Sequence, residues 1–392
     1  MQKKSNVSVD MKKGKVFIDS DSFFWPSDIS HEYMREQRKG ISFEKDEQSP
    51  LELFEQYYLG FRSSLLICED KLETESGLKI SKEWRETCIS MARAYTIKHI
   101  DSDISLPVDF MWIIRMAIIH AIKDEYPDVE KIPLKLTMKP MISARVKDKN
   151  TIVFPALIRS VLNQCNLVLI NHAFQILDNK LEAIDRRYLS RFILPYLLFC
   201  HDDFSVRNLP IIGGYSEDAI FTALNYTNLQ VMYIFAHEYA HILLRHFDGD
   251  SSSSKSHEAR ENEADTFALK VVLKYIDHVD TYTKDDVFTA IRWLFKYQLL
   301  EESVGILTRG EGISDFLSEY EKRRSLFQSE LIKSCNITGT SLLDIVGFVS
   351  IVELQGVLCE YGPKLIDTII QAFNNSKHKG DVDPWWEMIV QN

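Results

Sequence analysis

The stretch from Ile220 to Leu244 constrains this chain more than any other part of it. It is apolar for most of its length and long enough for about seven helical turns. Yet its last third carries His237, Glu238 and His241 among Ile234, Phe235, Ala236, Ala240, Ile242, Leu243 and Leu244. A helix that is apolar on every side belongs in a core. Ionisable groups there cost free energy unless they are paired or bound to a metal. Ser216 ahead of the run is a suitable N-cap, with Glu217 and Asp218 in the first turn, where acidic side chains favour the helix dipole. The run is broken by Asp248-Gly249-Asp250-Ser251-Ser252-Ser253-Ser254, a loop composition. Ser256 can then cap a second helix bearing Phe267, Leu269, Val271 and Val272.

His237 and His241 stand four residues apart, so on a helix both imidazoles project from one face. That spacing lets them share one tetrahedral zinc ion, and Glu238 between them can reach a water as general base. A third ligand must come from elsewhere. The second helix offers Glu261 and Asp265, again at i and i+4, so that one carboxylate can ligate while the other holds the second nitrogen of a histidine ligand. Glu258 is a rival ligand, but it has no aspartate four residues on.

These segments resemble the gluzincin metallopeptidases, whose pattern is HExxH followed on a later helix by ExxAD or ExxSD. The resemblance implies that His237, His241 and Glu261 bind Zn2+, that Glu238 is the catalytic base, and that Asp265 orients a histidine ligand. The twenty-residue interval from His241 to Glu261 is similar to the short spacing of thermolysin-type enzymes. The string HEYAHILLRH with a later ENEAD resembles the HtpX-like proteases, and Glu261-x-x-Ala264-x-x-Phe267-Ala268 is similar to ImmA-type regulators. The metzincin pattern fails, since it needs glycine at Leu244 and histidine at Phe247; His246, one position off, reads as a pocket or structural residue. The resemblance spans about residues 216 to 280 and departs from the HtpX-like proteases in showing no membrane spans and no downstream His-Pro…Arg segment. The stabiliser of a transition-state oxyanion is therefore open among Arg260, His246 and His257.

The rest of the chain sets the frame. Its 392 residues, 45% hydrophobic and 26% charged, describe a globular protein of two or three domains rather than a disordered or repetitive one. A formal charge of −11 argues against nucleic acid as the main partner. Cys68, Cys88, Cys165, Cys200, Cys335 and Cys359 show no Cys-x-x-Cys spacing and read as reduced, mostly buried thiols. The first residues have no apolar core of a secretory signal. The best span candidate, Leu106–Ile122, carries Asp109, Arg115 and His120 and reads as a buried helix. No membrane span and a cytoplasmic location are expected.

Periodicity predicts helices over Leu51–Cys68, Ser81–His99 and Val108–Asp124. Leu134, Leu136 and Met138 alternate with polar residues as a strand, and Thr151–Phe154 and Leu167–Ile170 are short runs that could pair with it. Further helices are expected over Lys284–Leu300, Ser314–Leu331, Ser341–Leu358 and Pro363–Phe373. Asp19-Ser20-Asp21 and Gly213-Gly214 read as turns, and Trp385 and Trp386 as packing residues. The expectation is an α+β, predominantly helical chain: an N-terminal mostly helical region (1–128), a zincin-like metallopeptidase core with a small sheet and an HExxH helix (129–282), and a C-terminal helical region (283–392).

The expected function is that of a soluble zinc-dependent endopeptidase acting on a narrow set of protein or peptide substrates, in a regulatory or defence role. Two rivals are a catalytically silent zincin-fold interaction or sensing module and a zinc hydrolase of non-peptide substrates.

Overall fold

The computed structural model describes residues 7–10, 15–18, 41–43, 106–137, 141–155, 157–201, 215–247, 255–279 and 281–375. The helices expected over Leu51–Cys68 and Ser81–His99, Met138, Cys68 and Cys88, both expected turns, the Ser-rich loop, Trp385 and Trp386 lie outside these residues.

The chain is mainly helical, with a small mixed sheet before the long helices. Strands β1 (Val7–Asp10) and β2 (Lys15–Ile18) form an antiparallel pair. The main sheet contains β4 (Leu134–Thr137), β6 (Thr151–Pro155) and β5 (Arg145–Lys147) in that spatial order. β4 and β6 run parallel with Leu134 opposite Ile152, and β5 turns back antiparallel on β6 with Lys147 opposite Thr151. Asp148 and Lys149, at φ of 53° and 64°, make that reversal. A backbone segment, β3 (Ile41–Phe43), pairs in parallel on the far side of β4. Leu136, Ile152 and Phe154 are fully buried.

Among the described residues, eight α-helices follow or flank the sheet: α1 (Leu106–Ile122), α2 (Ile158–Leu177), α3 (Arg186–Phe199), α4 (Glu217–Leu243), α5 (His257–Ile276), α6 (Lys284–Thr308), α7 (Ser314–Cys335) and α8 (Leu342–Asn375). Several start where a side chain satisfies an orphan backbone N–H. Ser216 caps α4 through Ala219, Ser256 caps α5 through Ala259, and Thr283 forms a capping box with Asp286 at α6. α8 is broken at Gly362 (φ 56°, ψ −144°) ahead of Pro363, where the sequence separates two helices.

Two expectations are corrected. Leu167–Ile170 is not a strand; it lies inside α2, where Leu167, Val168, Leu169 and Ile170 are all buried. A helix buried on every side shows a continuous apolar run in a short window, which is indistinguishable from a core strand. The leading span candidate also moves. Among the described residues Leu342–Gln371 is the helix long and apolar enough to cross a membrane by length and composition, with 39% of its most apolar window buried. Arg115 in α1 is buried and donates to the Glu130 and Ile132 carbonyls at 3.0 Å and to the Tyr239 hydroxyl at 3.3 Å.

α4 is the central element, packed against α1, α2, α5 and α6. Phe235 meets Phe154 of the sheet with ring centroids 4.9 Å apart. Burial of such side chains stabilises by roughly 1.5–3 kcal/mol each. At mid-length a polar hub fixes how α4 is rotated. Asn166 of α2 donates to Thr227 (2.9 Å) and Gln230 (2.8 Å) of α4, Tyr297 of α6 donates to Asn166 (3.1 Å), and Gln230 donates to the Ala290 carbonyl (3.0 Å). Every partner in the hub is buried, so it holds one rotational setting of α4 two turns before the ionisable group.

Candidate metal centre

The last turns of α4 carry His237, Glu238 and His241, and α5 runs beside them with Glu261 and Asp265 facing α4. His237 Nε2 lies 3.0 Å from His241 Nε2 and 3.6 Å from Glu261 Oε2, while His241 Nε2 lies 3.4 Å from Glu261 Oε1. Three ligand atoms held around one metal at about 2.0–2.1 Å and at tetrahedral angles stand about 3.3 Å apart. The two imidazole nitrogens, 3.0 Å apart, and their nearest carboxylate oxygens, at 3.6 Å (Oε2) and 3.4 Å (Oε1), approach that spacing, and one ligand atom from each residue lies within 4.8 Å of the others. His237, His241 and Glu261 could therefore hold a metal ion. Glu258, the rival ligand, is exposed and outside the cluster.

The other ring nitrogens are occupied in ways that leave both Nε2 atoms for the metal. His237 Nδ1 sits 2.9 Å from Asp265 Oδ1. The same carboxylate accepts the Tyr233 hydroxyl (2.9 Å) and Arg324 Nη1 of α7 (2.6 Å). His241 Nδ1 faces His246 Nδ1 at 2.9 Å, and His246 Nε2 reaches Glu263 Oε2 at 3.3 Å. So Asp265 stands where the resemblance puts an orienting residue.

Charge is balanced tightly. Burial alone would raise the Asp265 carboxyl; the Arg324 charge and then His237 and Tyr233 outweigh it and lower it to about 2. Burial opposes protonation of His237 too, but hydrogen bonds to Asp265 and Glu261 prevail and raise it to about 10. Burial, and next the positive charge on His237, lower His241 to about 4. Glu238 is buried and pushed up to about 7, chiefly by burial and partly by Glu261, against the attraction of His237. That places a carboxyl able to accept and return a proton near neutral pH beside the ligand set.

A cavity of about 180 Å³ opens on this centre. His237, Glu238, Glu261 and Asp265 form one wall; Ser143 and Ala144, just before β5, form another, and Gln298, Glu301 and Tyr320 close it. None of Arg260, His246 and His257, the sequence candidates for an oxyanion stabiliser, lines the cavity. Arg260 donates to the His246 carbonyl (2.7 Å), His246 is buried behind His241, and His257 lies out in solvent 3.8 Å from Glu261. Sequence reasoning missed Tyr233 and Arg324. Tyr233 precedes His237 by four residues and so shares its helix face, a signal that was available; Arg324, far along the chain, gives none.

A family model for Peptidase U49 matches residues 212–304, a segment that takes in α4, α5 and most of α6. Neither the curated proteins nor the solved structures yield a match. Over that segment, which holds all three candidate metal ligands and Glu238, the chain is similar to Peptidase U49, and the match supports a peptidase.

Proposed function

We propose that this chain is a gluzincin-type, zinc-dependent endopeptidase with His237, His241 and Glu261 as ligands and Glu238 as general base. The observation that carries the reading is the cluster of His237, His241 and Glu261, with closest approaches of 3.0–3.6 Å between their ligand atoms, and Glu238 lining the same cavity, inside the segment similar to a peptidase family. Two imidazoles and a carboxylate are the donor set that suits zinc. Bound there, zinc would supply Lewis acidity, acidifying a water and polarising the scissile carbonyl. Glu238 takes the proton from the attacking water and passes it to the leaving amine. Asp265, itself held by Arg324 and Tyr233, fixes the His237 ring so that Nε2 points at the ligand cluster.

Strand β5 ends the main sheet among the described strands, and Ser143 and Ala144 before it line the cavity. An extended peptide added along β5 would pass in front of Glu238, with main-chain hydrogen bonds supplying affinity. A cytoplasmic location is part of this proposal; the free, buried Cys165, Cys200 and Cys335 are compatible with a reducing compartment. The decisive experiment compares cleavage of proteins from a cell extract by wild type and Glu238→Gln, with zinc content measured on both. Loss of cleavage at unchanged zinc content is expected. Zinc-free wild type, or cleavage surviving in the variant, would overturn the reading; no cleavage by either protein would overturn it in favour of a silent binding module.

A further inference from the structure

The chain reverses at the end of α4 by a particular device. Arg245 takes a left-handed conformation (φ 58°), its N–H donates to the Ile242 carbonyl at 3.1 Å, and the next N–H, of His246, reaches back to the His241 carbonyl at 3.0 Å. This is a Schellman ending, in which the residue after the left-handed one folds back over the residue five before it. An apolar contact usually seals that closure. Here the two residues brought together are His241 and His246, and their ring nitrogens meet at 2.9 Å instead.

We propose that His246 is a positioning residue for the metal ligand His241, anchored in turn by Glu263. The inference rests on the metal-centre reading above. Once the Nε2 lone pair of His241 goes to a metal, the ring's one proton sits on Nδ1, and the contact with His246 is a donation from His241. His246 must then offer a lone pair at Nδ1 and carry its own proton at Nε2, where the Glu263 carboxylate accepts it at 3.3 Å. Each proton has one place to be. The far end is held as well: Lys255 donates to Glu263 at 2.6 Å, and Arg260 grips the His246 carbonyl at 2.7 Å. The two histidine ligands are therefore steered differently, His237 by a carboxylate directly and His241 by a carboxylate relayed through a second imidazole. With His246 4% exposed, no bulk water replaces it.

The test is zinc affinity, measured by competition with a chromophoric chelator for wild type, His246→Leu, His246→Gln and Glu263→Gln, each checked for its thermal midpoint. Zinc binding by His246→Leu should weaken about ten- to a hundredfold. His246→Gln, whose amide oxygen can accept the same N–H, should recover most of that loss, a rescue that a space-filling role does not predict. Long-range ¹H–¹⁵N NMR of the zinc-loaded wild type should show His241 protonated at Nδ1 and His246 at Nε2. This second readout decides the matter should the leucine variant fail to fold. Wild-type affinity in His246→Leu, or a proton on Nδ1 of His246, overturns the proposal. A wild type that binds no zinc sinks the metal-centre reading itself, whereas tight zinc binding indifferent to residue 246 sinks only the positioning role.

Discussion

Replacing Arg324 by methionine keeps an unbranched apolar stem and removes the guanidinium charge, leaving Asp265 buried without its main counter-ion. The two side chains are 16% and 3% exposed and meet at 2.6 Å, so solvent screens them weakly. Unit charges about 4 Å apart at an effective dielectric constant of about 20 attract by about 4 kcal/mol. Arg324 also sits 4.0 Å from the centre of the Phe295 ring, worth about another 1 kcal/mol. The dehydration of the guanidinium offsets part of this, and a net loss of about 3 kcal/mol remains, in the range for breaking a buried pair.

The pH dependence separates this cause from lost packing. In wild type the Asp265 carboxyl is lowered from 3.8 to about 2, so its stabilisation is present above the unfolded value and is lost only as pH falls towards 2. In the variant burial, the largest influence on Asp265, is no longer outweighed by Arg324 and pushes the carboxyl up. The folded variant then keeps a proton that the unfolded chain releases, and its deficit grows as pH rises from about 4 to about 7. Urea unfolding of the metal-free protein at several pH values in that window measures both effects. A loss below about 1 kcal/mol, or a deficit that does not change with pH, would refute the reasoning.

Glu301 gives the opposite sign in the wild type itself. Burial raises its carboxyl from 4.5 to about 7, so the folded state binds more protons and stability falls as pH rises through that window. Glu301→Gln should remove that slope and gain about 3 kcal/mol near pH 8 but little near pH 4, read by thermal unfolding. Gly347→Ala in α8 should cost about 3 kcal/mol, because the added carbon would lie 1.9 Å from Cζ2 of the fully buried Trp293, which donates to Asp344 and has no room to move. Urea midpoints check it. Zinc at a hundredfold excess over its dissociation constant should add about 2.7 kcal/mol to wild-type stability and nothing to Glu261→Ala, measured as a shift in thermal midpoint.

The site was legible where its determinants are local. Ser216 and Ser256 mark the starts of α4 and α5, and the spacing of four residues in His237/His241 and Glu261/Asp265 places each pair on one face whatever the tertiary structure. Spacing alone left open which carboxylate would ligate; the resemblance assigned ligation to Glu261 and orientation to Asp265, and the packing of α5 on α4 sets Glu261 beside both Nε2 atoms and Asp265 beside His237 Nδ1. α2 and α3 escaped the reading: Leu167–Ile170 looked like a strand in a short window, and Pro195 lies inside α3. Arg324 shows the limit most clearly. It lies outside the residues similar to Peptidase U49, yet it holds the charge of the carboxylate that orients His237.

The hub of Asn166, Thr227, Gln230 and Tyr297 bears on evolution and engineering alike. α4 is apolar around most of its circumference, so greasy packing tolerates several settings of the helix, like a round peg. Matched amides and hydroxyls are the key cut into that peg. Swapping the four for leucine, valine, methionine and phenylalanine should leave a protein as hard to unfold as before. It should also let the histidine face drift away from α5. Selection for stability alone would erase the hub, and its persistence through a lineage would record selection for aim.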